Sequence, residues 1–309
     1  MPQPVRRAIE ERADAAGFAA VKRAAAALSA SYRTGQAACL TSEERTVAYL
    51  VTRMPATYAA AHAVLSELRE RLGGAALCGE IDSVLDIGAG TGAATLAARE
   101  CFPAARAFTM VERDPALAAA AREWLPGARL LMDDLTHMAA LPRHDLVIAS
   151  YSLGELSAPV TAMLWQAARV ALVAIEPGTP RGSGVIRGIR EQLLAAGAHM
   201  AAPCPCAMPC PLVEPDWCHF AARVERSSLH RRIKDAPLNY EDEKFSYVAL
   251  VREPVPLPGA RILRRPRHHP GLIELAACTP TGLRGLRIAK RDRDAFRMAR
   301  KAVWGGSMV

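Results

Sequence analysis

The chain has 309 residues, of which 51% are apolar, so it is long enough to bury one large core or two smaller ones. No apolar run approaches the ~20 residues of a membrane-spanning helix, and the first residues lack the apolar region of a signal peptide, so we expect a soluble intracellular protein. The net charge is +8, and residues 221–309 carry all of this excess, with 19 Lys and Arg against 9 Asp and Glu. Because Arg predominates there and its planar guanidinium suits phosphate, an acidic partner such as RNA is favoured over a merely solvated basic surface.

Residues 1–75 are predicted to form a helical N-terminal domain. Ala-rich segments with few β-branched residues occupy about 5–30 and 56–72, and Pro55 breaks or begins a helix between them. Two consecutive glycines at 73 and 74 mark the expected end of this domain. The segment carries no recognisable chemistry, so we interpret it as a lid or a partner-binding region.

From residue 76 the sequence alternates short apolar runs with helical segments, a pattern typical of a parallel sheet with helices on both faces. The fold class is therefore α/β, with a Rossmann-like core over residues 76–199. The first five strands are predicted at 83–87, 107–112, 128–132, 145–150 and 171–176.

Two later apolar runs, 245–251 and 272–277, are predicted to complete a seven-stranded, mostly parallel sheet as part of segment 241–282. The irregular, Cys- and Pro-rich segment 200–240 is then an insert that interrupts the sheet. Residues 283–309 follow the last strand as a basic C-terminal tail.

The segment 84–92, Val-Leu-Asp-Ile-Gly-Ala-Gly-Thr-Gly, joins the first strand of the core to its first helix. Gly88, Gly90 and Gly92 let the backbone approach a ligand where a side chain would block it, and the helix start offers free N–H groups. A dinucleotide loop must hold a pyrophosphate, which the carboxylate of Asp86 would repel. Asp86 instead suits a ligand with a cationic amino group and a sulfonium, so the predicted cofactor is S-adenosylmethionine (AdoMet).

Polar residues also end the next three strands, at the edge where ligands of such sheets bind. Glu112 is placed to accept hydrogen bonds from the ribose hydroxyls, and Asp133 or Asp134 to reach the adenine amino group. Ser150 is expected beside the transferred methyl group. Acids after each of the first three strands are more specific than a glycine loop alone, so AdoMet is favoured over NAD.

The residues that would carry out methyl transfer are not evident. Amino-methylating enzymes usually carry an Asn/Asp-Pro-Pro-aromatic motif after strand four, where this chain has the segment 150–155, Ser-Tyr-Ser-Leu-Gly-Glu. Methyl transfer is an in-line displacement, in which the protein mainly positions the acceptor and the sulfonium. We assign no catalytic residue from the sequence.

Four cysteines crowd into 15 residues: Cys204, Cys206, Cys210 and Cys218. In an intracellular chain such a cluster indicates a metal site more often than disulfides, since a metal centre would neutralise the thiolates. The segment contains no Cys-x-x-Cys pair, so it fits neither an ordinary zinc ribbon nor a ferredoxin. The spacing alone leaves zinc and iron–sulfur open.

Six segments, within roughly residues 45–290, carry a resemblance to a known family: 49–58, 85–92, 150–155, 176–180, the Cys cluster through 220, and 240–247. In these the chain resembles the methyltransferase-like proteins associated with the mitochondrial small ribosomal subunit, and their bacterial relatives. The Cys cluster and the segment 240–247, Tyr-Glu-Asp-Glu-Lys-Phe-Ser-Tyr, are the distinctive parts, because many methyltransferases share the glycine loop.

The resemblance implies a class I AdoMet methyltransferase fold and a 4Fe-4S cluster with four cysteine ligands: Cys204, Cys210, Cys218 and Cys278. Cys206 stands where relatives often have histidine, which makes it an outer or alternate ligand. The family also implies binding to small-subunit rRNA, or to the ribosomal small subunit, during ribosome assembly. A bacterial member would act in the cytoplasm.

We therefore expect an AdoMet-binding, iron–sulfur-containing methyltransferase-like protein that acts on or binds small-subunit rRNA. One alternative is a non-catalytic rRNA-binding assembly factor whose AdoMet pocket is vestigial. Another is a zinc-dependent small-molecule methyltransferase, against which the basic C-terminal region argues.

Overall fold

The computed structural model describes residues 1–33, 42–73, 81–154 and 160–308. Four helices precede the first strand: α1 (Gln3–Ala16), α2 (Phe18–Arg33), α3 (Glu43–Thr52) and α4 (Met54–Gly73). Five more accompany the main sheet: α5 (Ala93–Cys101), α6 (Pro115–Trp124), α7 (Thr161–Ala167), α8 (Pro180–Ala195) and α9 (Ser228–Ile233). None of the helices in these ranges combines the length and apolar character that a bilayer-spanning helix requires.

The main sheet contains eight strands in the order β3-β2-β1-β4-β5-β8-β6, with β7 paired to β8. They are β1 (Ser83–Ile87), β2 (Ala107–Glu112), β3 (Arg129–Met132), β4 (His144–Ser150), β5 (Ala168–Pro177), β6 (His199–Ala202), β7 (Phe220–Glu225) and β8 (Tyr240–Val251). Strands β1 to β5 are parallel, whereas β8 runs antiparallel to β5, β6 and β7. The five predicted strands of the core are confirmed to within three residues at each end.

Apolar side chains are buried on both faces of this sheet. Leu85 and Ile87 of β1 pack in a core with residues of α7 and α8, whereas Val84 packs in a second core with residues of α4 and α5. Successive side chains of a strand point to opposite faces, so a continuous apolar run such as β1 serves both cores.

A second, smaller sheet replaces the predicted last strand of the core. It has the order β10-β11-β9-β13, with β12 paired to β11. Its elements are β9 (Ala260–Ile262), β10 (Arg267–His269), β11 (Leu272–Thr279), β12 (Gly282–Ala289) and β13 (Ser307–Met308), with helix α10 (Arg293–Ala299). The prediction that 272–277 completes the main sheet is wrong, because β11 pairs antiparallel with β9, β10 and β12, and β6 takes the edge position instead.

Residues 283–308 are not an extended tail. They contribute β12, α10 and β13, and their apolar side chains pack on Ile262, Ile273 and Leu275. The predicted insert 200–240 is also partly regular, since it includes most of β6, all of β7 and α9. Its irregular part is the segment 203–219, named here the cysteine loop.

The N-terminal helices share a core with the sheet. Helix α4 packs against α5, β7 and β8, and its Leu65 and Leu68 are fully buried in the same core as Val84. The predicted boundary at residues 75–76 lies outside the described residues, so the division into domains stays a prediction.

A buried ion pair ties these elements together. Arg261 of β9 is only 2% exposed, and its guanidinium donates two hydrogen bonds to the carboxylate of Glu67 on α4, one of them 2.9 Å long. The Tyr247 hydroxyl of β8 donates to the same carboxylate at 3.0 Å. Helix α4, the main sheet and the second sheet therefore meet at one carboxylate.

Replacing Glu67 with glutamine should destabilise the protein by about 3–5 kcal/mol, because the buried guanidinium of Arg261 would lose its counter-charge. Urea unfolding followed by circular dichroism measures the free energy of unfolding. Glu70→Gln is the matched control: Glu70 is exposed on the same helix, and we expect a change within about 0.5 kcal/mol. Equal effects of the two substitutions would contradict the role assigned to Glu67.

The same pair sets the response to acid. Burial alone would raise the pKa of Glu67, but hydrogen bonds from arginine and tyrosine partners outweigh it and hold the pKa below its ordinary value of 4.5. A carboxylate with a lowered folded-state pKa contributes stability above pH 4.5 that is lost as the pH falls through the folded-state pKa. As the pH falls below 4.5, the free energy of unfolding should therefore decrease more steeply in the wild type than in Glu67→Gln.

Candidate functional site

A cleft of about 640 Å³ lies at the carboxyl ends of the parallel strands. Six of the eight predicted cofactor residues line it: Gly88, Gly90, Glu112, Asp133, Asp134 and Ser150. The other two, Asp86 and Gly92, lie outside its wall. Its volume falls in the range typical of pockets for small molecules and cofactors.

The glycine loop after β1 needs two of its glycines for backbone geometry and close packing. Gly88 has φ +62°, and a Cβ there would lie 2.6 Å from Cβ of Ser152. Gly92 has φ +74°, and a Cβ there would lie 2.5 Å from Cδ1 of Leu125. Gly88 therefore allows Ser152 to pack against the loop, whereas Gly92 allows Leu125, at the end of α6, to pack against the start of α5.

Asp86 is a buried residue of β1 that stabilises the glycine loop through hydrogen bonds to the start of α5. It is 1% exposed, and its Oδ2 accepts hydrogen bonds from the Thr95 N–H at 3.0 Å and from the Thr95 hydroxyl at 2.7 Å, which joins β1 to α5. Its Oδ1 has no hydrogen-bond partner among the described residues. Burial, aided by the nearby charge of Glu112, raises the pKa of Asp86 to about 7 against the opposing effect of Thr95.

Glu112, at the end of β2, accepts a hydrogen bond from the backbone of the glycine loop. Its Oε2 accepts a hydrogen bond from the Gly90 N–H at 2.7 Å, and its Oε1 accepts one from the Asp114 N–H at 2.8 Å. The carboxylate is therefore held in place by backbone groups. Each carboxylate oxygen retains capacity for a further hydrogen bond, so the group is both fixed and able to bind a hydroxyl.

The two acids after β3 have different roles. Asp134 caps the short 3₁₀ turn Leu135–His137, accepting from the N–H and hydroxyl of Thr136, and it also accepts from Arg113 at 3.0 Å. These bonds, led by the one from the Thr136 N–H, lower the pKa of Asp134 to about 2. Asp133 is exposed and accepts from the Asp134 N–H at 2.8 Å. Asp133 is therefore better placed than Asp134 to accept from a ligand.

The segment after β4 presents one buried hydroxyl and one constrained tyrosine. Ser150 is buried, and its Oγ has no hydrogen-bond partner among the described residues. Tyr151 has φ +57°, its hydroxyl donates to Oε1 of Glu243 at 3.0 Å, and burial raises its pKa well above the ordinary value. Glu155, the last residue of the predicted segment, lies outside the described residues.

Sequence reasoning missed the cleft residues that come from other elements. Tyr49, Arg53 and Thr57, from α3, α4 and the turn between them, line the cleft opposite the glycine loop. Glu176 at the end of β5 accepts hydrogen bonds from the N–H groups of Leu153 and Gly154. The segment 49–58 is one of the six that carry the family resemblance, but only the packing of α3 and α4 brings it to the cleft.

The cysteines converge on a second, small cavity of about 50 Å³, named here the cysteine cavity. Its wall includes five thiols: Cys204, Cys206, Cys210, Cys218 and Cys278. The first four belong to the cysteine loop, whereas Cys278 lies on β11 of the second sheet, opposite Arg261 in the register of β9 and β11. Burial raises the pKa of Cys204 and Cys218, and raises that of Cys278 to about 11.

Hydrogen bonds hold both ends of the cysteine loop. Arg261 Nε donates to the Pro203 carbonyl at 2.8 Å, and the Ser246 hydroxyl donates to the Cys218 carbonyl at 2.7 Å. Nowhere in the described ranges do three or more His, Cys, Asp or Glu side chains form a group that could hold a metal ion. The predicted metal-binding insert is therefore not confirmed, although the predicted thiols do share one cavity.

The second sheet and α10 carry an exposed basic surface. Exposed arginines occur at 267 on β10, at 284 and 287 on β12, and at 291, 293, 297 and 300 in and around α10. Acidic side chains pair with two of them, since Glu274 lies 3.3 Å from Arg287 and Asp294 lies 3.1 Å from Arg297. The charge asymmetry of the sequence therefore corresponds to a folded surface.

The strand order defines the class of protein. Five parallel strands in the order β3-β2-β1-β4-β5, followed by an antiparallel strand inserted between β5 and β6, form the class I AdoMet methyltransferase fold. A TehB-like SAM-dependent methyltransferase of Corynebacterium glutamicum is similar, with a TM-score of 0.38 and 19% identity, covering 61% of this chain and 87% of that one. The strand order, and not this likeness, carries the assignment.

The chain belongs to the family described as "Mitochondrial small ribosomal subunit Rsm22", whose model matches residues 43–308. The human "Ribosome assembly protein METTL17, mitochondrial" is 25% identical over 297 residues, covering 85% of this chain and 62% of that protein. The Schizosaccharomyces pombe "Rsm22-cox11 tandem protein 2, mitochondrial" is 25% identical over 350 residues, covering 90% of this chain and 45% of that protein. The chain thus spans less than two thirds of the length of these relatives, and the predicted family is confirmed.

The expected cytoplasmic location is corrected by the same comparison. The expectation assumed a bacterial member of the family, whereas the family and both relatives are described as mitochondrial.

Replacing Gly88 with alanine should lower the free energy of unfolding by about 1–3 kcal/mol, because a side chain is strained at its positive φ and meets Ser152. Gly184→Ala on α8 is the control: no atom lies within 4 Å of a Cβ built there. Alanine is preferred to glycine inside a helix, so this change should stabilise by about 0.5–1 kcal/mol. Thermal unfolding measures the change in stability of both variants. If both are destabilised alike, the positive φ of Gly88 and its contact with Ser152 are not the cause.

Proposed function

We propose that the protein is an AdoMet-binding, iron–sulfur-containing methyltransferase-like protein that binds small-subunit rRNA during ribosome assembly. The observation that carries this proposal is the family match over 43–308, a range that contains both the AdoMet-type cleft and the five converging thiols. The name of the human relative, a ribosome assembly protein, supports the cellular role.

The cleft supports AdoMet as the ligand. In this proposal the backbone at Gly88 and Gly90 lies against the methionyl part, and Glu112 accepts hydrogen bonds from the ribose hydroxyls. Asp133 accepts from the adenine amino group, with Asp134 orienting the turn, and the unpartnered Ser150 hydroxyl faces the methyl-bearing end. Asp86 and Gly92 act indirectly by holding the loop and its helix.

The thiols support a 4Fe-4S cluster with ligands Cys204, Cys210, Cys218 and Cys278. Their chemistry fits, because thiolates are the usual ligands of iron–sulfur clusters, and the cavity wall supplies one more thiol than the four that a cluster needs. Each thiolate of such a cluster binds a different iron, so the sulfurs stand farther apart than around one ion. Cys206, the fifth thiol, is then an outer or alternate ligand.

The exposed arginines of the second sheet and α10 support RNA as the partner. Arg284, Arg291 and Arg293 are exposed on β12 and around α10, where guanidinium groups can bind phosphates. A cluster bridging the cysteine loop and β11 would fix this surface relative to the cleft.

A second candidate function is that of a non-catalytic assembly factor that binds AdoMet without transferring its methyl group. Tyr151 favours it, because this half-buried residue of the cleft wall already donates its hydroxyl to Glu243, so the hydroxyl is engaged within the protein. Loss of a specific methyl mark on small-subunit rRNA in cells without the gene would reject this candidate.

Replacing Glu112 with alanine should weaken AdoMet binding at least about tenfold, which corresponds to 1.4 kcal/mol, because both the ribose contact and the loop anchors are lost. Isothermal titration measures the dissociation constant. Glu123→Gln, on the exposed side of α6, should bind like the wild type. A wild type that gives no binding heat at millimolar AdoMet would remove the AdoMet part of the proposal.

Anaerobically purified protein should contain iron and acid-labile sulfide and show a broad absorption band in the visible spectrum. Cys278→Ser should lose most of the iron, because it removes a ligand, whereas Cys101→Ser should keep it, because Cys101 is buried in α5 away from the cysteine cavity. Iron and zinc analysis with the spectrum tests both variants. A colourless wild type with stoichiometric zinc would refute the iron–sulfur assignment.

Replacing Arg291 with alanine should weaken binding to small-subunit rRNA and reduce the slope of log K against log salt by about one, as expected for one lost phosphate contact. Filter binding across a salt series measures the slope. Arg7→Ala makes the same charge change on exposed α1 and should leave the slope unchanged. If the slope is unchanged in both variants, Arg291 does not contact an RNA phosphate.

A further inference from the structure

One face of α8 forms a wall of the cysteine cavity. Ser183, Ile186, Arg187 and Arg190 line it, and their spacing of three, four and seven residues places them on one side of the helix. Both arginines of this face donate to backbone carbonyls of the cysteine loop. Arg187 donates to the Leu212 carbonyl at 3.0 Å, and Arg190 donates to the carbonyls of Cys206 and Met208 at 3.2 and 2.5 Å.

Arg190 differs from Arg187 in being buried without a counter-charge. It is 5% exposed, and within the described part of the chain it forms no ion pair with a carboxylate. Its Nε is a buried donor with no hydrogen-bond partner among the same residues. A guanidinium keeps its positive charge in proteins, and burying a charge is costly unless an anion compensates it.

The residues around Arg190 limit which anion can compensate its charge. The wall of the cysteine cavity contains no Asp or Glu among the described residues, and the carboxylate of Glu67 is already bound by Arg261. The side chain of Arg190 instead interacts with sulfur, since it lies within hydrogen-bonding reach of the Cys204 thiol. Thiols are neutral, but thiolates bound to a metal centre are not, and in a 4Fe-4S cluster the sulfide and thiolate charges together exceed the charge of the irons.

We propose that Arg190 is the positioning residue and counter-charge of a thiolate-bound metal centre in the cysteine cavity. Its two carbonyl contacts hold the cysteine loop against α8, and its unpartnered Nε supplies a donor and a positive charge to the anionic centre. This inference rests on the metal site of the proposed function. It adds a residue outside the cysteine set that governs how firmly the centre is held and how readily it is reduced.

The competing account is that Arg190 only anchors the loop. An anchor contributes equally to the loaded and metal-free protein, because its carbonyl contacts exist in both. A counter-charge contributes mainly to the loaded protein, since in the metal-free protein it is an uncompensated buried charge that a methionine of similar length replaces at little cost. The two accounts therefore differ in whether the contribution of Arg190 to stability depends on the presence of the metal.

The experiment uses the full chain, purified anaerobically and compared with the same protein freed of metal by a chelator. The variants are Arg190→Met, Arg190→Lys and, as the matched control on the same helix face, Arg187→Met. Three quantities are measured: the unfolding temperature of both forms, the rate of iron loss to a ferrous chelator, and the midpoint potential of the loaded form.

Arg190→Met should lower the unfolding temperature of the loaded form by more than that of the metal-free form, and should speed iron loss at least about tenfold, the lower end of effects typical for outer partners of metal ligands. Its midpoint potential should become more negative, because a positive charge favours the reduced centre. Arg190→Lys, which keeps the charge, should retain more of the wild-type potential. Arg187→Met should lower the unfolding temperature of both forms alike.

Equal effects of Arg190→Met on both forms, with an unchanged potential, would overturn the counter-charge and leave the metal site standing. If Arg190→Met does not fold, Arg190→Gln, which removes the charge but keeps a polar side chain, takes its place, and wild-type values of its potential and of its rate of iron loss overturn the proposal. A wild type that holds neither iron nor zinc would overturn the metal site and the role of Arg190 together.

Discussion

The ion pair between Arg261 and Glu67 joins the parts of this molecule that the chain keeps far apart. Glu67 lies on α4, which packs on one face of the main sheet, and Arg261 lies on β9 of the second sheet. The same guanidinium donates to the Pro203 carbonyl at the start of the cysteine loop and to the Gly305 carbonyl near the end of the described chain. Because burying a guanidinium is costly unless its charge is compensated and its donors are bonded, these contacts favour the packing of the four segments together.

Helix α8 connects the two sites. Its first turns, with Thr179, Gly182 and Val185, line the cleft at the strand ends, while the face that includes Arg187 and Arg190 lines the cysteine cavity. Glu176, the penultimate residue of the preceding strand β5, accepts a hydrogen bond from the Leu153 N–H and so fixes the backbone after β4. Helix α8 therefore contributes to the walls of both sites.

Metal binding in the proposed manner would add a link between the sheets to those that the Arg261–Glu67 pair and the hydrogen bond from the Trp304 indole to the His219 carbonyl already provide. Cys278 belongs to β11 of the second sheet, whereas the other four thiols belong to the loop between β6 and β7. A centre bound by both would hold the basic surface of β12 and α10 in a fixed position relative to the cleft.

The sequence by itself determined the parallel core, the glycine loop and the acids after β1, β2 and β3, because period, turn chemistry and strand ends are local properties that a short segment already displays. It also identified the family and grouped Cys278 with the loop cysteines through resemblance. Only the tertiary structure decided that 272–279 joins a second sheet, that residues 283–308 fold, that Asp86 bonds to Thr95, that Glu67 pairs with Arg261, and that Arg190 is buried. Strand partners and the burial of a charge depend on residues that are distant in the chain. The local sequence around an apolar run or an arginine therefore does not specify which residues will pack against it.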